Sequence, residues 1–360
     1  MTDPIKEWLR GGTLIALEGI DLLPLSVTEW PDTPVALKSE RTEVYYLKDS
    51  NDQLWAIKKF LTNGAAATKH RNSIKSLIPH RPGFEAGYLR KVLNPASLSS
   101  HARDDLNLST WIDQAILMPA VRGLRWNELA CAISEGRLHL PRKQRLRLVR
   151  SLSEKVMWLE SQDIAHRALS STNIYVDVQA GDVHLIDWDA MFHPALPMPE
   201  HLRHGDPGYI APFVKVRGTA DARNTWRVWA DRFSLALLNA EILSIDSGVP
   251  LTGGEAVCDQ DELYNRCGPC LTAIKESLNA QFPPVFRMFE QTLAATRFED
   301  CPAPSDWLSA RGSEPAIKPD PIPIKDRPAF VRLNQANLIR LDKASHVALK
   351  RQRFEKPPRR

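Results

Sequence analysis

Between Val35 and Phe60 the apolar positions come in short runs broken by turn-forming residues, which predicts strands rather than helices. Val44, Tyr45, Tyr46 and Leu47 form one run and Leu54 to Phe60 the next, with Asp49-Ser50-Asn51-Asp52 as the turn between them, so a hairpin is expected. The segment before it, Met1 to about Thr33, carries mixed apolar residues and closes on Pro31-Asp32-Thr33-Pro34, expected as a turn. Ser73 to Leu93 reads as helical in parts, interrupted by Pro79, Pro82 and Gly83. Ala115 to Met118 is a short apolar strand that Pro119 ends.

From Pro141 the period changes. Leu146, Val149, Leu152, Val156 and Leu159 recur at three- and four-residue steps, which predicts a long helix with one buried stripe. Asn173 to Val178 and Val183 to Ile186 flank Gln179-Ala180-Gly181-Asp182 and predict a second hairpin. Trp226 to Leu243 is apolar on most faces and is expected as a buried helix. Two more helical stretches are expected over Asp261 to Leu278 and Pro284 to Ala295. After about Ser313 prolines 315, 319, 321, 323 and 328 favour an extended linker, with a short helix expected around Asn334 to Lys350.

Composition adds little to this α+β picture except at the C-terminus. From Ser313 to Arg360 there are 12 Lys/Arg against 5 Asp/Glu, so the remainder of a chain with net charge +4 is slightly acidic. The body makes no electrostatic case for nucleic acid. The basic tail alone offers a surface for nucleic acid, an acidic membrane or a protein partner. No apolar run is long enough to span a bilayer, and no charged-then-apolar leader follows Met1. The expectation is a cytoplasmic protein, or one exported without a Sec-type signal. Five cysteines, an odd number, argue for a reducing compartment.

The chemistry concentrates in His166-Arg167-Ala168-Leu169-Ser170-Ser171-Thr172-Asn173, followed after the second hairpin by Asp187-Trp188-Asp189. This resembles the catalytic loop H-R-D-L-x-x-x-N and the D-F-G metal motif of protein kinases. Further matches follow the same order. Trp55-Ala56-Ile57-Lys58 resembles V-A-I-K, Leu117-Met118-Pro119-Ala120-Val121 the adenine-binding hinge, and Gly208-Tyr209-Ile210-Ala211-Pro212 the end of the activation loop. Ala230-Asp231-Arg232-Phe233-Ser234-Leu235 resembles the start of the central helix, whose Asp orients the catalytic-loop backbone.

The resemblance covers roughly Val35 to Arg311 and implies a bilobal protein-kinase-like fold. It implies a small β-rich N-lobe to about Pro119, a helical C-lobe after it, and ATP with magnesium as ligands. The segment before residue 34 is then an N-terminal extension, and residues from 313 are a Pro-rich linker and basic tail. Lys58 would contact phosphate, Ala56, Met118 and Ala120 would face the base, and Asn173 and Asp187 would hold metal, with Asp189 as a further ligand. Glu85, the only Glu between Lys58 and Met118, is the candidate partner of Lys58. The Ile186-Asp187-Trp188 stretch also looks like that of aminoglycoside phosphotransferases.

The departures from the pattern bear on activity. Ala168 stands where the family has its catalytic Asp, next to His166 and Arg167, and a methyl group neither orients nor deprotonates a hydroxyl. The stretch from Leu37 to Val44 has no glycine to cradle phosphates, and it places Glu40 and Glu43 beside Arg41. Phe213 replaces the Glu that closes the activation segment, and its Arg partner near Cys301-Pro302-Ala303-Pro304 is missing, although Arg297 lies close. The resemblance therefore implies a pseudokinase with a scaffolding or regulatory role. The alternatives are an unconventional active Ser/Thr-type kinase, in which positioning or a displaced carboxylate replaces the base, and a nucleotide-independent interaction module.

Cys267-Gly268-Pro269-Cys270 has the letters of a redox motif but no βαβ context, and with Cys258 and Cys301 its spacing is irregular for zinc, so structural thiols are expected. His193, His201 and His204 are expected to be solvated.

Overall fold

The computed structural model describes residues 3–27, 30–38, 42–61, 65–121, 123–198, 205–214 and 225–309. The chain is an α+β protein, and its described residues fall into two compact units. One is drawn from 1–64 and 90–120, the other from 65–89 and 121–318. No helix among the described residues is long and apolar enough to cross a membrane.

The first unit is built on a seven-stranded antiparallel sheet. Its order is Ile15–Leu17, Ile20–Pro24, Thr42–Asp49, Leu54–Phe60, Ile116–Pro119, Lys91–Val92, with Ala36–Lys38 pairing beside Thr42–Asp49. The hairpin expected from residues 44–60 forms, with Tyr45 opposite Ile57 and Tyr46 opposite Ala56. Its turn closes through Asp49, whose Oδ1 accepts the N–H groups of Asn51 and Gln53 at 2.8 and 2.9 Å. Strand alternation then sorts the side chains. Tyr45, Leu47, Ile57 and Leu117 pack with Ile5 and Trp8 of the helix Pro4–Gly11 and with Leu108 and Ile112 of the helix Leu106–Ile112. Tyr46 and Ala56 point the other way and cluster with Val35.

The residues before Thr33 belong to this unit. Asp3 caps the first helix by accepting from the N–H groups of Ile5 and Lys6, and it also receives the Tyr45 hydroxyl at 2.8 Å. Ile20–Pro24 pairs with Thr42–Asp49. The Pro31 to Pro34 stretch, expected as a turn, instead lies in the strand Trp30–Pro34, paired with Ser26–Val27. A two-stranded ribbon has edges on both sides, where proline's missing N–H removes no ladder bond.

The second unit is helical around a three-stranded sheet of Leu124–Arg125, Ile174–Asp177 and Asp182–Leu185. The helix Arg142–Ser161 begins after Pro141 as its periodicity predicts, and Leu146, Val149, Leu152, Val156 and Leu159 are all buried. It packs on the helix Arg232–Ser244, where Asn239 Nδ2 donates to Ser153 Oγ at 3.0 Å. Arg145 is buried between them, donating to the carbonyls of Leu140 and Ile242 at 2.8 and 3.0 Å. Trp126, Trp188 and Trp307 are almost fully buried. Burying even a Phe-sized side chain contributes roughly 1.5–3 kcal/mol, so these three anchor the unit.

Two expected helices are corrected. The buried helix starts at Arg232 rather than Trp226, because Val228–Asp231 winds as a tighter 3-10 turn that frees the Asp231 carboxylate for another segment. The stretch from Asp261 to Leu278 is two helices, Gln260–Asn265 and Pro269–Gln281. Arg266 takes a left-handed φ of 55°, and Gly268-Pro269 starts the second helix.

Candidate functional site

The loop from His166 to Asn173 in the second unit is held from beneath by Asp231. Its carboxylate accepts the backbone N–H of His166 at 2.5 Å and that of Arg167 at 2.7 Å. Asp231 is 1% exposed, so these bonds form away from water, where an unmade one would be costly. Burial pushes the Asp231 carboxyl up to about 7, while the two N–H bonds pull it down. The contact is the one expected of the Asp at the start of the central helix.

Arg167 is buried as well, with a left-handed φ of 61°. Its guanidinium donates to the carbonyls of Thr225 and Ala190 at 2.7 and 2.9 Å and to Thr225 Oγ1 at 2.6 Å, and it stacks over Trp226. Burial brings this group down to about 10, which leaves it charged at neutral pH. His166 bonds through Nε2 to the Ile186 carbonyl at 2.8 Å and lies edge-on to Trp188, 4.8 Å between ring centres. Trp188 in turn meets Phe84 at 5.2 Å. The loop and the Asp187-Trp188-Asp189 segment are thus fastened together by buried edge-on ring contacts and a bond from the His166 ring to the Ile186 carbonyl.

Ala168 is half-buried at the head of this loop. Its carbonyl accepts from Asn173 Nδ2 at 2.9 Å, and the same nitrogen donates to Asp206 Oδ2 at 3.1 Å. That oxygen also receives the Ser170 hydroxyl at 2.6 Å. Two acceptors around one end of the Asn173 amide settle its orientation: the nitrogen faces Ala168 and Asp206, and the oxygen faces away. Asp206 comes from outside the loop, on a half-buried turn.

The second hairpin brings Asn173 and Asp187 to one end of the small sheet. Ile174 pairs with Leu185, and the Ile186 N–H donates to the Asn173 carbonyl at 3.0 Å. Asp187 follows with φ 62° and ψ 55°, a left-handed conformation uncommon outside glycine and enriched at functional sites. Asp189 lies in the short 3-10 turn Trp188–Ala190. Both carboxylates are half-buried.

In the first unit, Ala56 stands opposite Met118 across the sheet. Ala56, Met118 and Ala120 come together in the apolar cluster with Val35 and Tyr46. Lys58 is 7% exposed and lies over the Phe60 ring at 5.1 Å. Glu43 forms an ion pair with Lys38 at 2.9 Å. Glu40 and Arg41 lie outside the described residues, as do His201, His204 and the basic tail.

Glu85 sits in the second unit on the short helix Glu85–Tyr88. Its carboxylate accepts the Gly83 N–H at 3.0 Å and meets His184 Nδ1 at 3.3 Å. Burial would raise this carboxyl, but the bonds from His184 and backbone N–H groups outweigh it and hold the carboxyl below its ordinary value. The long helix of this region is Ala65–Leu77, which contains no Glu but carries Arg71, 3% exposed.

Phe213 packs edge-on against Phe298 at 4.9 Å and Phe233 at 6.2 Å. Arg297 points outward to Asp300 at 2.8 Å. Among the cysteines, Cys258 pairs with Cys270 rather than Cys267 with Cys270: the buried sulfurs are 2.7 Å apart, and Cys267 is exposed. Glu262 is near enough to complete a three-ligand group. Two thiolates at about 2.3 Å on a tetrahedral zinc would stand about 3.8 Å apart, so this group is built as a thiol pair. Glu262 already accepts the Leu271 N–H at 2.8 Å. His193 Nδ1 accepts the Ala195 N–H at 3.0 Å within its own turn.

A search against protein-family models found no match, and neither did a search of curated proteins. The hairpin is legible from residue pattern, and the loop and the Asp231 contact from the resemblance. Asp206 is not legible in either way. For Asp206 the available signal was the Gly205-Asp206-Pro207-Gly208 stretch, which precedes the Tyr209-Ile210-Ala211-Pro212 segment directly.

Proposed function

We propose that this chain is a magnesium–nucleotide-binding protein of the protein-kinase-like type. The part of the site that holds metal and phosphate is kept, and the part that activates a substrate hydroxyl is altered at Ala168. The observation that carries this reading is the Ile186 N–H bond to the Asn173 carbonyl at 3.0 Å, which seats Asn173 beside the Asp187 backbone.

The donor set fits the metal. An Asn amide oxygen and Asp carboxylates are hard oxygen ligands of the kind magnesium takes, and the Asn173 nitrogen is turned away toward Ala168 and Asp206. Asn173 and Asp187 would hold the ion, with Asp189 as a further ligand. Magnesium bound there would neutralise charge on β- and γ-phosphate oxygens. In the first unit, the cluster of Ala56, Met118 and Ala120 offers an apolar surface for a base, and Lys58 a cation for phosphate.

Two further observations support a kinase-like fold. The Asp231 carboxylate orients the loop backbone at His166 and Arg167. Phe213, at the position of the family's Glu, packs edge-on against Phe298, so the lost Glu is replaced by an aromatic contact rather than by a stranded charge. With a methyl group at position 168, transfer by the usual loop base is lost, so this reading rests on nucleotide binding, with a scaffolding or regulatory role that needs no turnover.

The test is a thermal melt with Mg-ATP. Ligand at 100 times its Kd stabilises a fold by about 2.7 kcal/mol. A rise that requires magnesium and disappears in Asp187→Ala is expected. No rise at millimolar Mg-ATP would remove the reading.

A further inference from the structure

Resting on the nucleotide-binding reading above, we propose that the Asp206 carboxylate takes the place of the acid–base group missing at Ala168, so that the chain transfers phosphate to a hydroxyl. The acceptor for a hydroxyl proton has moved from the loop to the turn that packs against it.

The argument begins at Asn173. One nitrogen bonds both the Ala168 carbonyl, at 2.9 Å, and Asp206 Oδ2, at 3.1 Å, which makes the carboxylate a direct neighbour of residue 168. Ser170 places its hydroxyl on the same carboxylate oxygen at 2.6 Å. The loop therefore has a carboxylate oxygen close to the backbone of its altered position, delivered by residue 206. The two donors on Oδ2, Ser170 and Asn173, fix how the carboxylate is presented to an incoming hydroxyl. The carboxylate is half-buried and Ala168 itself is half-buried, so neither is sealed from a substrate.

The turn that carries Asp206 is braced through residues 206 to 210. Its carbonyl accepts the Tyr209 N–H at 3.0 Å. Gln260 grips the next residues with both ends of its amide, accepting the Gly208 N–H at 2.8 Å and donating to the Ile210 carbonyl at 2.8 Å. Ser234 donates to the Tyr209 carbonyl at 3.1 Å, and the Tyr209 hydroxyl reaches Glu241 at 2.9 Å. Gly208 has φ +84°, and a Cβ there would lie 2.3 Å from the Ala256 Cβ and 2.9 Å from the Cys258 carbonyl. A carboxylate held this firmly has the fixed placement that acid–base catalysis needs.

The step is a displacement at phosphorus. The substrate's alcohol oxygen forms a bond to the γ-phosphorus of ATP as the bond from that phosphorus to the β,γ-bridging oxygen breaks. ADP leaves with the electron pair, and the hydroxyl proton passes to the Asp206 carboxylate and then to water.

The experiment uses the full chain with Mg and γ-labelled ATP, and the chain itself and dephosphorylated casein as acceptors, beside the Mg-ATP melt. The parent chain is expected to transfer label. Asp206→Asn keeps an oxygen for Ser170 and Asn173 and should retain the Mg-ATP melting shift, yet lose about 10²- to 10⁴-fold in transfer. Returning the carboxylate to the loop, as A168D in the D206N background, should recover at least tenfold of that loss. Asp206→Thr serves the same comparison if the Asn variant does not fold. A parent chain that shifts with Mg-ATP but transfers nothing overturns the proposal and leaves the binding reading standing. Undiminished transfer by a folded Asp206 variant overturns it too. Absence of any Mg-ATP shift in the parent removes the binding reading, and this proposal with it.

Discussion

The Tyr209 hydroxyl donates to Glu241 Oε2 at 2.9 Å, and both side chains are buried. Trp126 Nε1 donates to the same oxygen, also at 2.9 Å. Burial pushes the Glu241 carboxyl up to about 8, against which the two donors pull. In the folded protein this group is therefore neutral at pH 7, while in the unfolded chain it is ionised above its ordinary value near 4.5.

Stability should fall with rising pH as a result. The unfolded chain has lost this proton above about 4.5 and the folded one keeps it to about 8, so the contribution is complete below the first value and gone above the second. The slope in that window is at most roughly 1.4 kcal/mol per pH unit for one proton. Urea titrations from pH 5 to 9 check it. Glu241→Gln, which keeps an acceptor for both donors, should flatten that slope.

Asp231→Ala should be among the most destabilising single changes in the second unit. It leaves the buried N–H groups of His166 and Arg167 without their acceptor, at roughly 1–3 kcal/mol each. Asp231→Asn keeps an oxygen and should cost less. Denaturant midpoints compare the two.

Phe213 and Phe298 should prove coupled. Each change to Ala removes an edge-on ring contact, from a half-buried site at Phe213 and a buried one at Phe298, and is expected to cost about 1–3 kcal/mol. A double-mutant cycle should return about 0.5–1.5 kcal/mol of interaction between them. An interaction near zero would mean the two rings do not stabilise each other.

Thiol reactivity should follow exposure. Cys267 is exposed, whereas Cys258, Cys270 and Cys301 are buried. The neighbouring Cys270 and burial push the Cys258 thiol well above its usual range, and burial pushes the Cys301 thiol up to about 12. A maleimide should label Cys267 in the native chain and reach the three buried thiols only in denaturant. Zinc should leave the melting temperature unchanged.

Lys58→Met tests the first unit separately. If Lys58 binds phosphate, its loss should weaken Mg-ATP about tenfold or more, as expected for a hydrogen bond from a charged group. The melt used for Asp187→Ala reads this out directly.

Local chemistry made much of this legible in the sequence. The first hairpin could be read because Asp49-Ser50-Asn51-Asp52 is a turn by its own side-chain bonds. The Asp231 contact is legible only through the resemblance that Ala230 to Leu235 carries. The central helix was misjudged at its start because an apolar count does not see that Asp231 must stand out of the helix to reach the loop. Asp206 was missed for a deeper reason. It lies 36 residues from Ser170, and no spacing announces that a turn so distant will return to the loop. Only the packed turn around Gly208 and Gln260 places it there.

Gly208 deserves its position for what it lacks. The Ala256 Cβ and the Cys258 carbonyl occupy the space where a methyl group would go, and its φ of +84° excludes most other residues besides. In a saturation scan of the chain, position 208 should therefore tolerate nothing but glycine, although it bears no functional group. A lesion there would displace the carboxylate two residues upstream while leaving its chemistry intact, so damage to placement could be told apart from damage to the group itself.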